Sequence, residues 1–302
     1  MPAPRGVAHI GTPTVSSSGV AAVGVFVRTT LCCMQGSQVP VVNHLADTWQ
    51  RFAWANDARQ AFGELSGRLG QPGTYTIRTE FTGDRWAASF HRVIDPTQEA
   101  VIFDEPARAL GAFLDHTRTA LNYAAYQLAL LAIREDPALV GTVNPGRIEF
   151  PIFTQRAVFT RYNRFKTLPE RYRDAIETLQ PFDGQKQGLW TLHELARESR
   201  HRVVHPVAIW PSEDHYTVWV DGKPIPATDV EVVPHDRLED GDILMRVRIP
   251  GANSTSDVRS QVVVAVGIDH PLCRGRTGTD VLDGIRAEAA ATLLQLAEGF
   301  FA

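Results

Sequence analysis

Ala107–Ile133, ARALGAFLDHTRTALNYAAYQLALLAI, is the stretch that decides the fold class. At 100° per residue Leu110, Phe113, Leu114, Leu121, Ala124, Leu128 and Leu131 fall on one face, which predicts a long amphipathic helix. Asp115, Arg118 and Asn122 recur at i, i+3 and i+7 along its flank, a polar stripe that a neighbouring helix can reach. Upstream, Leu45, Trp49, Phe52, Ala53, Phe62 and Leu65 keep helical spacing until Gly70 and Pro72 end the run at Leu69. Between the two helices, Tyr75–Phe81 and Trp86–Val93 alternate around Thr82-Gly83-Asp84 and read as a hairpin. Asp95–Pro106 reads as a link, and Pro137 with Pro145 marks the loop after the long helix.

Further on, Ile148–Phe153 (IEFPIF) is apolar and held extended by Pro151. Helices are expected over Leu168–Leu179, stopped by Gln180-Pro181, and over Gly188–Val204, with Leu189, Leu192, Leu195, Ala196 and Val203 facing inward. After Pro206 the pattern changes. Val207–Trp210, Tyr216–Val220, Val230–Val233, Ile243–Ile249 and Gln261–Ile268 read as strands, separated by turn signals such as Asp221-Gly222 and Asp240-Gly241. Asp280–Phe300 reads as a closing helix. The expected class is α+β: a helical bundle with a small β-hairpin, then a strand-rich region closed by a C-terminal helix. The expected divisions are a flexible extension over 1–40, a helical domain over 41–205 and a β-rich region over 206–302.

Composition narrows the function classes. A formal net charge of -4 means that the protein as a whole does not match nucleic acid, so any such contact must come from a local cluster of arginines. Cys32 and Cys33 are adjacent and Cys273 is remote, which gives no disulfide or zinc-ribbon spacing and points to a reducing, cytoplasmic setting. The apolar run Gly19–Met34 is 16 residues long and holds Arg28, short of the roughly 20 needed to span a bilayer, so no membrane partner is expected. No G-x-G-x-x-G follows a strand, and Arg274-Gly275-Arg276-Thr277-Gly278 lacks the phosphate-loop pattern, so no cofactor is expected. Asp269-His270 and His235-Asp236 pair a carboxylate with a histidine, but no nucleophile elbow accompanies either one.

The densest chemistry lies in Arg197–Pro206, with three arginines and two histidines within nine residues. His201 and His205 have the i, i+4 spacing of zinc helices, yet Arg202 stands where such enzymes carry glutamate, and no third ligand is evident; no metal is expected. A second reading is structural: Arg200 projects toward the buried side of its own helix and needs partners, for which Asp115 and Asn122 on the long helix are the candidates. A third is nucleolytic. Arg200-His201-x-x-x-His205 resembles the signature of the HEPN superfamily, helical domains many of which are metal-independent endoribonucleases. That resemblance implies an arginine on the scissile phosphate and a histidine moving the proton, with Arg200, His201, Arg202 and His205 as candidate catalytic residues. Arg200 and His205 stand about 140° apart on a continuous helix, so they converge only if the helix ends before His205.

A wider resemblance runs through Ala107–Val207. Leu114–Ala124, Glu149-Phe150-Pro151-Ile152, Leu179-Gln180-Pro181-Phe182 and Ser199-Arg200-His201-Arg202 resemble, in order and spacing, a widespread bacterial group reading "NLRSALDYLAYQL", "FPI", "LQPY" and "DKHR". Asn122 stands for an aspartate of that pattern, and Ser199 and Arg200 stand for its Asp-Lys. No activity is attached to that group, so the resemblance implies kinship alone, with His201-Arg202 as its best-kept pair. The expectation is an inter-helix polar cluster of Asp115, Arg118 and Asn122 against Arg200, His201, Arg202 and His205. It is either structural or lines a binding cleft, with RNA as the candidate partner and a homodimer as the candidate assembly.

Overall fold

A 40-residue helix organises the chain. The computed structural model describes residues 45–69, 74–82, 85–93, 96–209, 216–226, 229–233, 235, 237–249, 257–262 and 264–301. The expected extension over 1–40 lies outside them. Helix α1 (Ala46–Leu69) packs along α2 (Pro96–Glu135), followed by α3 (Arg156–Arg161), α4 (Glu170–Thr178), α5 (Gln187–Ser199) and α6 (Gly278–Phe300). Among the described residues no helix is long and apolar enough to cross a membrane.

Two expectations about helices are corrected. The link expected before Pro106 is helical from Pro96, because Ile102 and Phe103 pack on the core a turn before the proline; tertiary burial outweighs the hydrogen bond that Pro106 cannot make. The helix expected over Gly188–Val204 stops at Ser199. Arg200 is its cap, His201 and Arg202 form a turn on the Glu198 carbonyl, and Val203 is exposed rather than buried.

The strands are β1 (Tyr75–Thr82), β2 (Arg85–Arg92), β3 (Pro206–Ile209), β4 (Tyr216–Val220), β5 (Lys223–Pro224), β6 (Val230–Val232), β7 (Ile243–Arg248), β8 (Val258–Val262) and β9 (Ala265–Ile268). They form three antiparallel sheets ordered β1-β2-β7-β6, β3-β9 and β5-β4-β8. The run expected as one strand, Gln261–Ile268, is split: its first residues pair with β4 and its last with β3. Asp221 (φ 48°) and Gly222 (φ 77°) close the β4–β5 hairpin in the left-handed geometry that a two-residue turn demands.

The architecture is α+β, and its two cores cross the expected cut at 205/206. The hairpin pairs with β7, and Trp86, Ala88 and Phe90 are buried with Val218, Met245 and Val247 in the strand-rich core. Helix α6 returns to the helical core through Val281, Leu282, Ile285, Ala289, Leu293 and Leu296. The reason is pairing: an isolated two-stranded ribbon cannot bury its apolar face, and α6 finds its complementary stripe on the helices.

One close approach sets where α5 lies. A Cβ on Gly188 would stand 2.6 Å from the Gly284 carbonyl oxygen, so α5 and α6 cross with glycine against glycine. Lys186, at φ 49°, offers no side-chain cap; instead Glu288 of α6 accepts the Leu189 N–H at 2.9 Å. That anchors the start of α5 and fixes the direction in which its C-terminal end points.

Candidate functional site

The stripe expected on α2 holds an extended segment rather than Arg200. Ile148–Phe153 belongs to no sheet, yet Phe150 and Ile152 are fully buried, so its backbone groups need partners from side chains. Arg118 Nη2 donates to the Phe150 carbonyl at 2.6 Å, and Asn122 Oδ1, one turn along α2, accepts the Phe150 N–H at 3.1 Å. The buried Gln180 accepts the Phe153 N–H at 3.0 Å and donates to the Ile176 carbonyl at 3.0 Å. α2 and the end of α4 thus clasp the same strip of backbone from two sides.

Arg200 takes neither of its expected partners. It is exposed, Asn122 is engaged with Phe150, and Asp115 stands exposed on α2 with no ion pair among the described residues. Burial did not decide this position, because α5 ends at Ser199 and the buried side of the helix ends with it. His201, Arg202 and His205 are also exposed. The i, i+4 alignment of His201 with His205 does not exist, since both residues lie beyond the helix. Among the described residues no group of three or more His, Cys, Asp or Glu side chains is gathered as a metal site.

A different set does come together. His193, Arg197 and Arg200 recur at i, i+4 and i+7 on α5, within a 60° arc. That arc faces Arg118. Burial lowers Arg118 to about 10, with nearby Glu149 and Tyr162 opposing and Arg200 adding to the shift. His193 is also lowered, first by burial, then by Arg118, with Arg197 and Arg200 adding and Glu194 opposing. Its imidazole, stacked on Trp190 at 5.4 Å, is therefore held neutral. Tyr162, raised chiefly by burial, lies beside Arg164, whose guanidinium carbon is 6.0 Å from its ring centroid.

The pairing of these cations is uneven. Arg197 is bound to Glu194 at 2.6 Å, Arg202 to Glu198, and Arg164 to Glu149 at 3.5 Å. Arg200 has no carboxylate among the described residues, and Arg118, only 9% exposed, has a buried Nη1 with no hydrogen-bond partner. The C-terminal dipole of α5 favours a cation at Arg200, but this end is exposed and screened, so the offset is a fraction of a charge. Arg118, with Glu149 as its facing charge, and Arg200, with no carboxylate bound, thus lie in one cluster with a neutral histidine.

No family model matches this chain, and neither does any curated protein or solved structure. The cluster is therefore read from its own residues.

Two neighbouring groups are chemically quiet. His270 accepts the Leu272 N–H on Nδ1 at 3.2 Å and aims Nε2 at Glu198, 3.4 Å away, so both ring nitrogens are engaged. Cys273 is buried; burial, reinforced by Glu198 and opposed by Arg276, pushes its thiol up to about 12, and it stays protonated. Two open grooves lie elsewhere, one of about 390 Å³ between Leu65, Leu69, Val101 and Pro106, the other of about 360 Å³ between Leu179, Lys186, Leu296 and Phe300. Neither includes Arg118, His193 or Arg200.

His193 is not among the residues that the sequence singles out, because it lies outside the Arg197–Pro206 run. The signal that finds it is its i, i+7 spacing to Arg200. Gln180 and Glu149 were likewise visible only as part of a resemblance, since nothing in their spacing reveals that one clasps a backbone strip and the other neutralises Arg164.

Proposed function

We propose that this chain is an anion-binding protein of the bacterial cytoplasm. In this reading the inner half of its polar cluster is structural, and the outer half lines a binding site. The observation that carries it is the excess of cations where α2 meets the end of α5, with Arg118, Arg164, Arg197 and Arg200 set against Glu149 and Glu194. Cations held together repel. An oxyanion accepting from Arg200, the exposed member with no carboxylate bound, relieves that repulsion. The buried free thiol Cys273 and the absence of disulfide spacing support the reducing compartment.

Thermal unfolding in sodium phosphate against sodium chloride of equal ionic strength tests the reading. A ligand that binds only the folded state stabilises it by about 2.7 kcal/mol at a hundred times Kd. Phosphate is expected to raise Tm of the wild type and not of Arg200→Gln. An equal rise in both marks a general salt effect and removes the reading.

A HEPN-like ribonuclease or RNA-binding role of the Arg200–His205 segment is the second reading. One observation favours it: α5 ends at Ser199, so the 140° separation that a continuous helix imposes on Arg200 and His205 does not apply. RNA cleavage in EDTA by the wild type, His201→Ala and His205→Ala decides it; activity undiminished in both variants excludes those histidines as catalysts.

A further inference from the structure

We propose that the outer edge of β1 is a self-association surface, on which a second copy of the chain lays its own β1 antiparallel about a two-fold axis through Thr79. This is independent of the anion-binding reading. β1 ends the sheet ordered β1-β2-β7-β6, and among the described residues β2 is its only ladder partner. Its eight residues pair with β2 in one unbroken register and include neither proline nor lysine. Short strands, bulges, proline and lysine are the usual ways of blunting an edge. The opposite edge of the same sheet uses the first of them, since β6 is only three residues long.

The hydrogen-bond alternation determines which backbone groups are on offer. The Val93 N–H donates to the Thr74 carbonyl at 3.1 Å, so Thr76, Arg78, Glu80 and Thr82, at every second place from Thr74, turn their backbone groups to β2. Phe90, opposite Ile77, donates its N–H to the Asp242 carbonyl and accepts the Gly241 N–H, both at 2.8 Å and away from β1. Tyr75, Ile77, Thr79 and Phe81 therefore present theirs at the outer edge, and an antiparallel partner must set these residues opposite one another.

The side chains choose the register. With Thr79 on the axis, Thr79 exchanges both backbone hydrogen bonds with its symmetry mate, and Ile77 does so with Phe81 of the partner subunit. Arg78 then stands opposite Glu80 of the partner subunit, at the non-hydrogen-bonded positions where side chains lie closest. Arg78 and Glu80 are exposed in the single chain, and neither has an ion pair among the described residues. Sliding one copy by two residues sets Arg78 against Arg78 or Glu80 against Glu80, and like charges directly opposite destabilise a strand pair. On the other face Ile77 and Phe81, half-buried at the margin of the strand-rich core, meet across the axis and cover apolar surface that one copy leaves to water. Self-complementarity of one patch under a two-fold is what an isologous interface requires.

Sedimentation equilibrium of the full chain over a range of concentrations tests the proposal, and a concentration-dependent dimer is expected. Thr79→Pro should abolish it. The Thr79 N–H faces away from β2, so proline removes no hydrogen bond from the sheet, and circular dichroism should show the fold kept. Arg78→Glu and Glu80→Arg each set like charges opposite at two symmetric places and should weaken Kd at least tenfold. The double variant Arg78→Glu/Glu80→Arg restores opposite charges and should return Kd to within threefold of the wild type. The two single variants, mixed, should pair with each other. A chain that stays monomeric, or a dimer indifferent to Thr79→Pro or to the single reversals, would overturn the proposal. Single reversals that weaken the dimer without rescue by the double variant would do the same.

Discussion

The two halves of the polar cluster are built from the same residue types and meet opposite fates. On the inner half, Arg118 Nη2, Asn122 and Gln180 satisfy the backbone of a buried extended segment. On the outer half, Arg200, His201 and His205 stand at the end of α5 in solvent, and Arg200 has no carboxylate among the described residues. The difference teaches that an arginine's role follows from what its neighbours leave unsatisfied. Phe150 has a buried carbonyl that must be met, whereas Arg200 is exposed and binds no carboxylate among the described residues.

If that division is right, stability should fall steeply on the inner half and hardly at all on the outer. Arg118→Met should cost about 2–3 kcal/mol in urea unfolding, because it orphans the Phe150 carbonyl; this outweighs the relief of unburying a charge. A variant as stable as the wild type would show that the clasp does not hold. Asn122→Leu should cost about 1–2 kcal/mol by stranding the Phe150 N–H. Asn122→Asp keeps the acceptor and gains a charge facing Arg118, so it should stay within about 0.5 kcal/mol of the wild type.

Outer changes should be small. Arg202→Gln removes an exposed ion pair with Glu198 and should cost roughly 0.2–1 kcal/mol, a loss that salt erases. Arg200→Gln should change stability by no more than about 0.5 kcal/mol in buffer without phosphate. A larger loss would move Arg200 to the structural half. The last effect is one of pH. His193 has its folded pKa below the unfolded value of about 6.5, so on acidification the unfolded chain takes the proton first. Stability is therefore present above pH 6.5 and lost as pH falls from there toward the folded value. His193→Gln should flatten that limb of the unfolding curve, and an unchanged slope would place the titration elsewhere.

Much of the fold was legible because apolar period is a strong signal over long segments. Helix α1, the β1–β2 hairpin, α4, β4 and α6 lie within two residues of their expected ends. The exceptions have physical causes. Pro106 reads as a stop, but Ile102 and Phe103 are packed on the core before it. Gln261–Ile268 is apolar after its first residue, and period cannot show that its two ends pair in different sheets. Pro206 does mark a break, yet the helix ends at Ser199, seven residues earlier, where Glu198 turns its carbonyl to two successive N–H groups. Of the candidate site, Arg118 and Asn122 were found as a stripe, but their true partner, the Phe150 peptide, is a backbone group that no side-chain pattern announces. Arg200 was found and given the wrong partners; His193 was passed over.

The most direct test of an anion site on the outer half is the histidine side-chain NMR spectrum titrated with inorganic phosphate at constant ionic strength, with the His193 signal assigned from His193→Gln. A saturable shift of His193 that disappears in Arg200→Gln, while His270 on Glu198 stays still, is the predicted result. A His193 signal that does not move, or that moves only in step with every exposed histidine, would contradict it.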